Sequence, residues 1–306
     1  MIIKAYKCNL SYITYTMNLL IVDSFHHKNQ QGLGMIVNAL NLKYRYGNIN
    51  DIGNPDYDII YSPNNPVDTS RYPSKRFIFG PHFSVFPDSK LTRINNVHKN
   101  SVYIQPSDWV RDLWSPANAV LPVKTFPFPV DTERFAPLKE RERENEKREV
   151  FIYFKRRNPQ ELQYLKDFLT ARNIAFKVFD YVNRYSEQDY IEILQRAKYG
   201  IVLDAHESQG FAIEEALACD VPLLVWNVRL LSQEHGSRYP DAPATSIAYW
   251  DARCGEHFYE QDELESVYNK FISNLATYKP REYILENLSV ARCAERFTEL
   301  VNSYIK

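Results

Sequence analysis

The feature that most constrains this chain is a series of short apolar segments in its second half, separated by stretches that carry helix signals. Val150 to Phe154, Ile174 to Phe179, Gly200 to Asp204 and Val221 to Trp226 each read as a short buried strand. Between the first two, Asn158 and Pro159 supply an N-cap and a first-turn proline for a helix to about Ala171. Between the next two, Ser186-Glu-Gln-Asp189 has the capping-box spacing, with Asp in place of the usual Glu, for a helix to Lys198. The order β-α-β-α-β-α-β is the layout of a doubly wound nucleotide-binding domain, with a parallel sheet covered by helices.

The first half repeats the theme less clearly. Asn18 to Asp23 reads as a buried strand, preceded by a polar, Tyr-rich extension over 1–16. A loop carrying His26, His27, Gly32 and Gly34 is expected next, then a helix from about Met35 to Tyr44. Asp58–Tyr61, Arg76–Phe79 and Val102–Gln105 read as further strands, and Ser107 caps a helix through Trp114. A proline-rich segment from Pro122 to Pro137 breaks the pattern, and residues 138–149 are dense in charge of both signs, the character of a solvated linker. The expected division is therefore 1–137, a charged linker at 138–149, and 150–306. The tail from Pro280 is helical in character, and its last helix is expected to pack back on the first domain. A chain of 306 residues is long enough for two modest cores.

Charge narrows the partners. With 37 basic against 38 acidic residues, the chain lacks the basic excess that phosphate neutralisation demands of a protein living on nucleic acid, so no nucleic-acid partner is expected. Cys8, Cys219, Cys254 and Cys293 lie far apart without metal-ligand spacing and read as reduced thiols of a cytoplasmic protein. No apolar run has the length to span a bilayer, which leaves peripheral membrane contact open.

The chemistry is concentrated in Asp204-Ala-His-Glu-Ser-Gln-Gly-Phe-Ala-Ile-Glu-Glu-Ala-Leu-Ala-Cys-Asp-Val-Pro222. A buried strand ends near Asp204, Glu207 lies in the loop, and Gly210 opens a helix that contains Glu215. In open parallel sheets, ligands bind beyond the carboxyl ends of strands, where helix N-termini favour phosphates. The spacing puts one carboxylate in the loop and another about one and a half turns into the helix. Two acceptors at different depths suit a ligand with hydroxyls at both ends, such as a nucleotide sugar. Taken alone, two glutamates read as a loop charge and a solvated helix position, and helical periodicity does not choose between Glu214 and Glu215.

The segment resembles the Glu-x7-Glu signature of retaining glycosyltransferases with the GT-B fold, glycosyltransferase family 4 in particular. Glu207, Gly210-Phe211, Glu215-Ala216, Ala218-Cys219 and Val221-Pro222 carry the match, with Asp220 where the family has Gly. Ile104–Leu113 is similar to the family's Pro-Ser strand–helix unit, and Pro127–Pro137 to its Gly-Val-Asp connector, with Pro129 in place of Gly. The resemblance covers Met17 to Trp226. It implies two Rossmann-like domains with parallel sheets facing a central cleft, and transfer of a sugar from a nucleoside diphosphate to a carbohydrate or glycoconjugate acceptor with retention of configuration. It implies that Glu207 contacts donor-sugar hydroxyls and that Glu215 binds the ribose, with Ser208, Gly210 and Phe211 beside the donor. Lys155 or Arg156 stands for the Arg that steadies the diphosphate, and the family's later Lys has no counterpart in Asn158-Pro-Gln-Glu161. Gln31-Gly32-Leu-Gly34 resembles the glycine-rich loop near the phosphates, though an ordinary tight turn explains it equally well. His82 follows a strand as the family's active-site His does, and is also read as a hydrogen-bonded structural residue. Family members need no metal, so neither metal nor cofactor is expected beside the donor. The competing readings are a glycosyltransferase that modifies DNA bases, a non-catalytic sugar-nucleotide-binding protein, and an epimerase of the same fold.

Overall fold

The computed structural model describes residues 17–23, 25–64, 67–81, 85–87, 101–117, 121–138, 149–183 and 185–304. The expectations for the extension 1–16, for His82 and for positions 139–148 of the charged stretch lie outside the described residues. The chain divides into two compact units, one drawn from Met1–Gln105, Ser115–Pro129 and Val290–Lys306, the other from Pro106–Trp114 and Val130–Ser289.

Among the described residues the first unit contains β1 (Asn18–Val22), α1 (His27–Ala39), β2 (Lys43–Gly47), β3 (Ile59–Ser62), β4 (Arg76–Phe79), β5 (Ser101–Gln105) and β6 (Val123–Thr125). The strands form one parallel sheet in the order β2-β1-β3-β4-β5-β6. Interior strands β3 and β5 are buried along their whole length, as a sheet covered on both faces requires.

Two local expectations are corrected here. The helix begins at His27 and ends at Ala39, so Gly32 and Gly34 lie inside α1 and not in a phosphate-binding loop. Gly32 is there for packing: a Cβ would meet Phe128 Cβ at 2.9 Å, a distance that only glycine avoids. Residues 43–47, placed at the end of a helix and beyond it by the sequence, are instead the edge strand β2. Lys43, Tyr44, Arg45 and Tyr46 are all exposed, so β2 has no buried apolar run to reveal it.

The second unit holds α2 (Asp108–Trp114), β7 (Glu149–Lys155), α3 (Pro159–Thr170), β8 (Lys177–Asp180), α4 (Glu187–Arg196), β9 (Ala197–Asp204), α5 (Phe211–Ala218), β10 (Leu223–Trp226), β11 (Gly255–Phe258), α6 (Leu264–Ser273) and α7 (Pro280–Asn287). Its sheet is parallel in the order β11-β10-β9-β7-β8. The last helix, α8 (Val290–Tyr304), belongs to the first unit and packs on α1.

Alternation along the strands of the second sheet shows why they read as continuous apolar runs. Phe151, Tyr153, Val202, Leu223 and Val225 enter one core with Ile213 and Leu217 of α5. Val150, Ile152, Phe154, Ile201, Leu203 and Leu224 enter the other with Leu165 of α3 and Phe271 of α6. Each such side chain contributes roughly 1.5–3 kcal/mol by leaving water.

The helix ends follow their residues. Asn158 caps α3 with its Oδ1 3.0 Å from the Gln160 amide, and Glu161 reaches back to the Asn158 amide at 3.2 Å. Asp220, at φ 60°, closes α5 in a Schellman arrangement, its amide on Leu217 O and that of Val221 on Ala216 O. Among the described residues no helix is long and apolar enough to cross a membrane.

Candidate active site

Both β8 and β9 flank β7, so the chain leaves β7 in one direction and returns on its other side. Such a reversal opens a crevice at the carboxyl ends of the two central strands. Those ends are charged: in the β7–β9 ladder Lys155 is the register partner of Asp204. Burying apolar residues up to that point and then placing an ammonium beside a carboxylate concentrates the electrostatics at one spot.

Asp204 is fully buried, its Oδ1 accepts from the Ala205 amide at 2.7 Å, and its Oδ2 lies 4.0 Å from Lys155 Nζ. Burial pushes its carboxyl well above the usual range; Lys155 opposes that rise and Glu207 adds to it.

Glu207 is held by its backbone from two directions. Its amide donates to Thr245 O at 3.0 Å, and its carbonyl accepts from Trp109 Nε1 at 2.9 Å. Its carboxylate Oε1 is hydrogen-bonded by Lys155 Nζ. Burial pushes this carboxyl up, but the Lys155 charge and the hydrogen bonds from Asp204 and Lys155 outweigh it, so the group is held below its ordinary value. Glu207 is therefore ionised at neutral pH, an acceptor for hydroxyl or ammonium donors. Lys155 Nζ also lies 4.8 Å from the ring centre of Tyr181, which is half exposed.

The three consecutive cations have separate fates. Arg157 is buried; its Nε and Nη2 donate to Glu161 at 2.9 and 2.7 Å, and its Nη1 to Trp226 O at 3.0 Å and Asp204 O at 3.3 Å. It ties β7, β9 and β10 together at their carboxyl ends. Arg156, at φ 55°, is exposed, with Nη1 3.6 Å from Glu234 Oε2. A non-glycine residue in the left-handed region costs on the order of 1 kcal/mol or more, and such residues cluster at functional sites.

Gly210, at φ 99°, turns the chain into α5, a conformation that an L side chain rarely adopts. Ser208 and Phe211 are half-buried on either side of it. Glu214 and Glu215 are both buried, which periodicity left undecided. Glu214 turns inward, taking Gln209 Nε2 on its Oε2 at 3.0 Å, and burial raises its carboxyl well above the usual value. Glu215 instead faces the tyrosines: the Tyr185 hydroxyl is pushed up to about 12 by burial, with the charges of Glu215 and Glu207 adding to it. Tyr185 thus stands within electrostatic range of both glutamates and of Lys155.

Lys155, Arg156, Glu207, Ser208, Gly210, Phe211 and Glu215 all lie in the second unit, at or just beyond the carboxyl ends of β7 and β9. Gly32 and Gly34 belong to the other unit, within α1. The sequence did not single out the His206–Glu234 pair, whose Nε2 and Oε2 are 2.8 Å apart, with the ring centres of Trp109 and Tyr239 6.0 and 5.7 Å from that of His206. His206 stands next to Glu207 in the motif, whereas Glu234 lies in an irregular excursion after β10 that carries no periodic signal. Among the described residues no group of three or more His, Cys, Asp and Glu side chains is arranged to hold a metal ion.

No protein-family model and no curated protein matches this sequence. Solved structures do match. Sucrose-phosphate synthase from Thermosynechococcus elongatus superposes with a TM-score of 0.61 at 9% identity, covering 94% of this chain and 98% of that one. The trehalose-6-phosphate phosphatase N-terminal domain of Candida albicans gives 0.60 at 11% identity, over 95% and 97%. The lipopolysaccharide outer core galactosyltransferase WaaB gives 0.57 at 10% identity, over 94% and 99%. At such identities the likeness is one of fold: an α/β chain with two parallel sheets and surrounding helices, as in GT-B glycosyltransferases.

Proposed function

We propose that this chain is a glycosyltransferase that moves a sugar from a nucleoside-diphosphate donor to a carbohydrate or glycoconjugate acceptor, with retention of configuration and without a bound metal. The observation that carries the reading is the meeting of Lys155, Asp204 and Glu207 at the carboxyl ends of β7 and β9, with Glu215 buried beyond Gly210. The GT-B fold supports it, and the Glu207–Glu215 spacing supports it independently.

In this reading the bond from the sugar's anomeric carbon to the phosphate oxygen breaks, and the acceptor oxygen bonds to that carbon. The acceptor proton passes to the leaving phosphate. Lys155 and Arg156 stabilise the charge that grows on the diphosphate, where preorganised cations act most strongly. The Glu207 carboxylate accepts from donor-sugar hydroxyls, and Glu215 accepts from the ribose.

A thermal-shift screen against UDP-, GDP-, ADP- and CMP-sugars identifies the donor, because a ligand that binds only the folded state raises the melting temperature. With that donor, Glu207→Gln is expected to lower transfer by at least about 100-fold while nucleotide binding survives. Glu215→Ala is expected to weaken nucleotide binding itself. Full turnover by Glu207→Gln would remove the assignment, and a protein that binds donor yet neither transfers nor hydrolyses it would be a binding protein instead.

A further inference from the structure

Every cation at the carboxyl end of β7 has a carboxylate partner. Lys155 is bonded to Glu207 and lies 4.0 Å from Asp204 Oδ2, Arg156 lies 3.6 Å from Glu234, and Arg157 is committed to Glu161 and two backbone carbonyls. A diphosphate entering this place meets cations that are already compensated, and it brings further negative charge toward the ionised Glu207. Glu207 cannot withdraw far, because Thr245 O and Trp109 Nε1 fix its backbone and its side chain is only 16% exposed.

The two forms of the ligand differ at this point. When Lys155 turns to an intact nucleotide sugar, the sugar's hydroxyls take over the released Glu207 carboxylate. When it turns to a bare nucleoside diphosphate, no donor replaces it, and an ionised carboxylate is left beside phosphate oxygens. A buried carboxylate that loses its cation is costly, and like charges a few ångströms apart add to that cost.

We propose that Glu207, by competing with the diphosphate for Lys155, makes the site favour an intact nucleotide sugar over the nucleoside diphosphate left after transfer. The inference rests on the donor reading above and adds a selectivity to it. Glu234 exerts the same competition, more weakly, at the more exposed Arg156.

The test is isothermal titration of wild type and Glu207→Gln with inorganic pyrophosphate, then with UDP, GDP and ADP beside UDP-glucose, GDP-mannose and ADP-glucose. Glu207→Gln keeps the side chain's shape and removes its charge. It is expected to bind pyrophosphate and the cognate nucleoside diphosphate about tenfold more tightly than wild type, and to lose the preference for the intact donor. Glu234→Gln serves as the second variant, and tightens pyrophosphate binding by about two- to fivefold with Lys155 and Glu207 untouched. Circular dichroism melts confirm that each variant is folded. Unchanged or weaker pyrophosphate binding in folded Glu207→Gln, or an unchanged preference for the intact donor, overturns the competition, and the donor reading stands if wild type still binds a nucleotide sugar. Failure of all three proteins to bind pyrophosphate or any of the donors overturns the donor reading together with it.

Discussion

The two sheets share a topology and differ in what they carry at their carboxyl ends. In each, the first strand lies between the second and the third: β1 between β2 and β3, β7 between β8 and β9. Each fold half therefore opens the same kind of crevice. At β7 and β9 that crevice holds Lys155, Arg156, Arg157, Asp204 and Glu207. At β1 and β3 the described residues include Asp23, the Phe25–Tyr61 ring pair at 5.3 Å, the buried Ser62, and His26, His27 and Lys28 at the start of α1. Topology supplies the place; among the described residues, the cluster of cations paired with buried carboxylates is gathered at β7 and β9. Function has to be argued from that charge, because a shared fold does not carry it.

The largest test of this contrast separates the charges that shape the second crevice from those that serve a ligand. Arg157→Met removes a buried guanidinium and strands Glu161 and the carbonyls of Asp204 and Trp226. We expect a loss of about 2–4 kcal/mol in denaturant unfolding, below the upper range for buried pairs because Glu161 is partly exposed. Arg156→Met, at an exposed side chain, should change stability by no more than about 0.5 kcal/mol while weakening nucleotide-sugar binding. The opposite pattern, with Arg157 affecting only binding, would make all three cations ligand groups.

A smaller effect is expected at Asp204. Burial raises its carboxyl well above the ordinary value, against the pull of Lys155 and with the push of Glu207. A carboxyl with a raised folded-state pKa holds its proton more tightly in the folded chain than in the unfolded one. Its favourable contribution is complete at low pH and is lost as pH rises through the folded value. Asp204→Asn, which keeps the acceptor for the Ala205 amide, should be about 1–2 kcal/mol more stable than wild type at pH 8, with the gap closing toward pH 4. Melting temperatures across that range measure it. A constant gap would mean that the end of β9 is no more strained by charge than the end of β3.

How much of this was legible follows from burial. Strands covered on both faces leave continuous apolar runs, so β1, β3, β4, β5, β7, β9 and β10 were visible in the sequence, as was the edge strand β8, with boundaries off by a few residues. The exposed edge strand β2, the three-residue β6 next to Pro122, and β11 with α6 beyond the last motif were not. Glu207 and Glu215 stood out because a strand, a glycine and a helix surround them. Lys155, Arg156 and Arg157 looked alike because one-dimensional charge does not reveal direction: the left-handed turn at Arg156 sends its neighbours to different partners. The helical placement of Gly32 and Gly34 was missed because a Gly-x-Gly spacing fits a tight turn as well as a helix that another segment approaches closely.

The smallest effect tests the other side of the contrast. Tyr61 sits near the end of β3, wholly buried, with its hydroxyl lacking a hydrogen-bond partner among the described residues and its pKa pushed well above the ordinary value by burial. A buried hydroxyl with no partner costs desolvation and returns nothing, while the ring continues to pack against Phe25. Tyr61→Phe should therefore be neutral or stabilising, by up to about 1 kcal/mol in denaturant unfolding, and transfer activity should be unchanged. A loss of stability would show that the hydroxyl is satisfied in solution. A loss of activity with stability intact would place a polar ligand group in the first crevice, and the contrast between the two crevices would have to be redrawn.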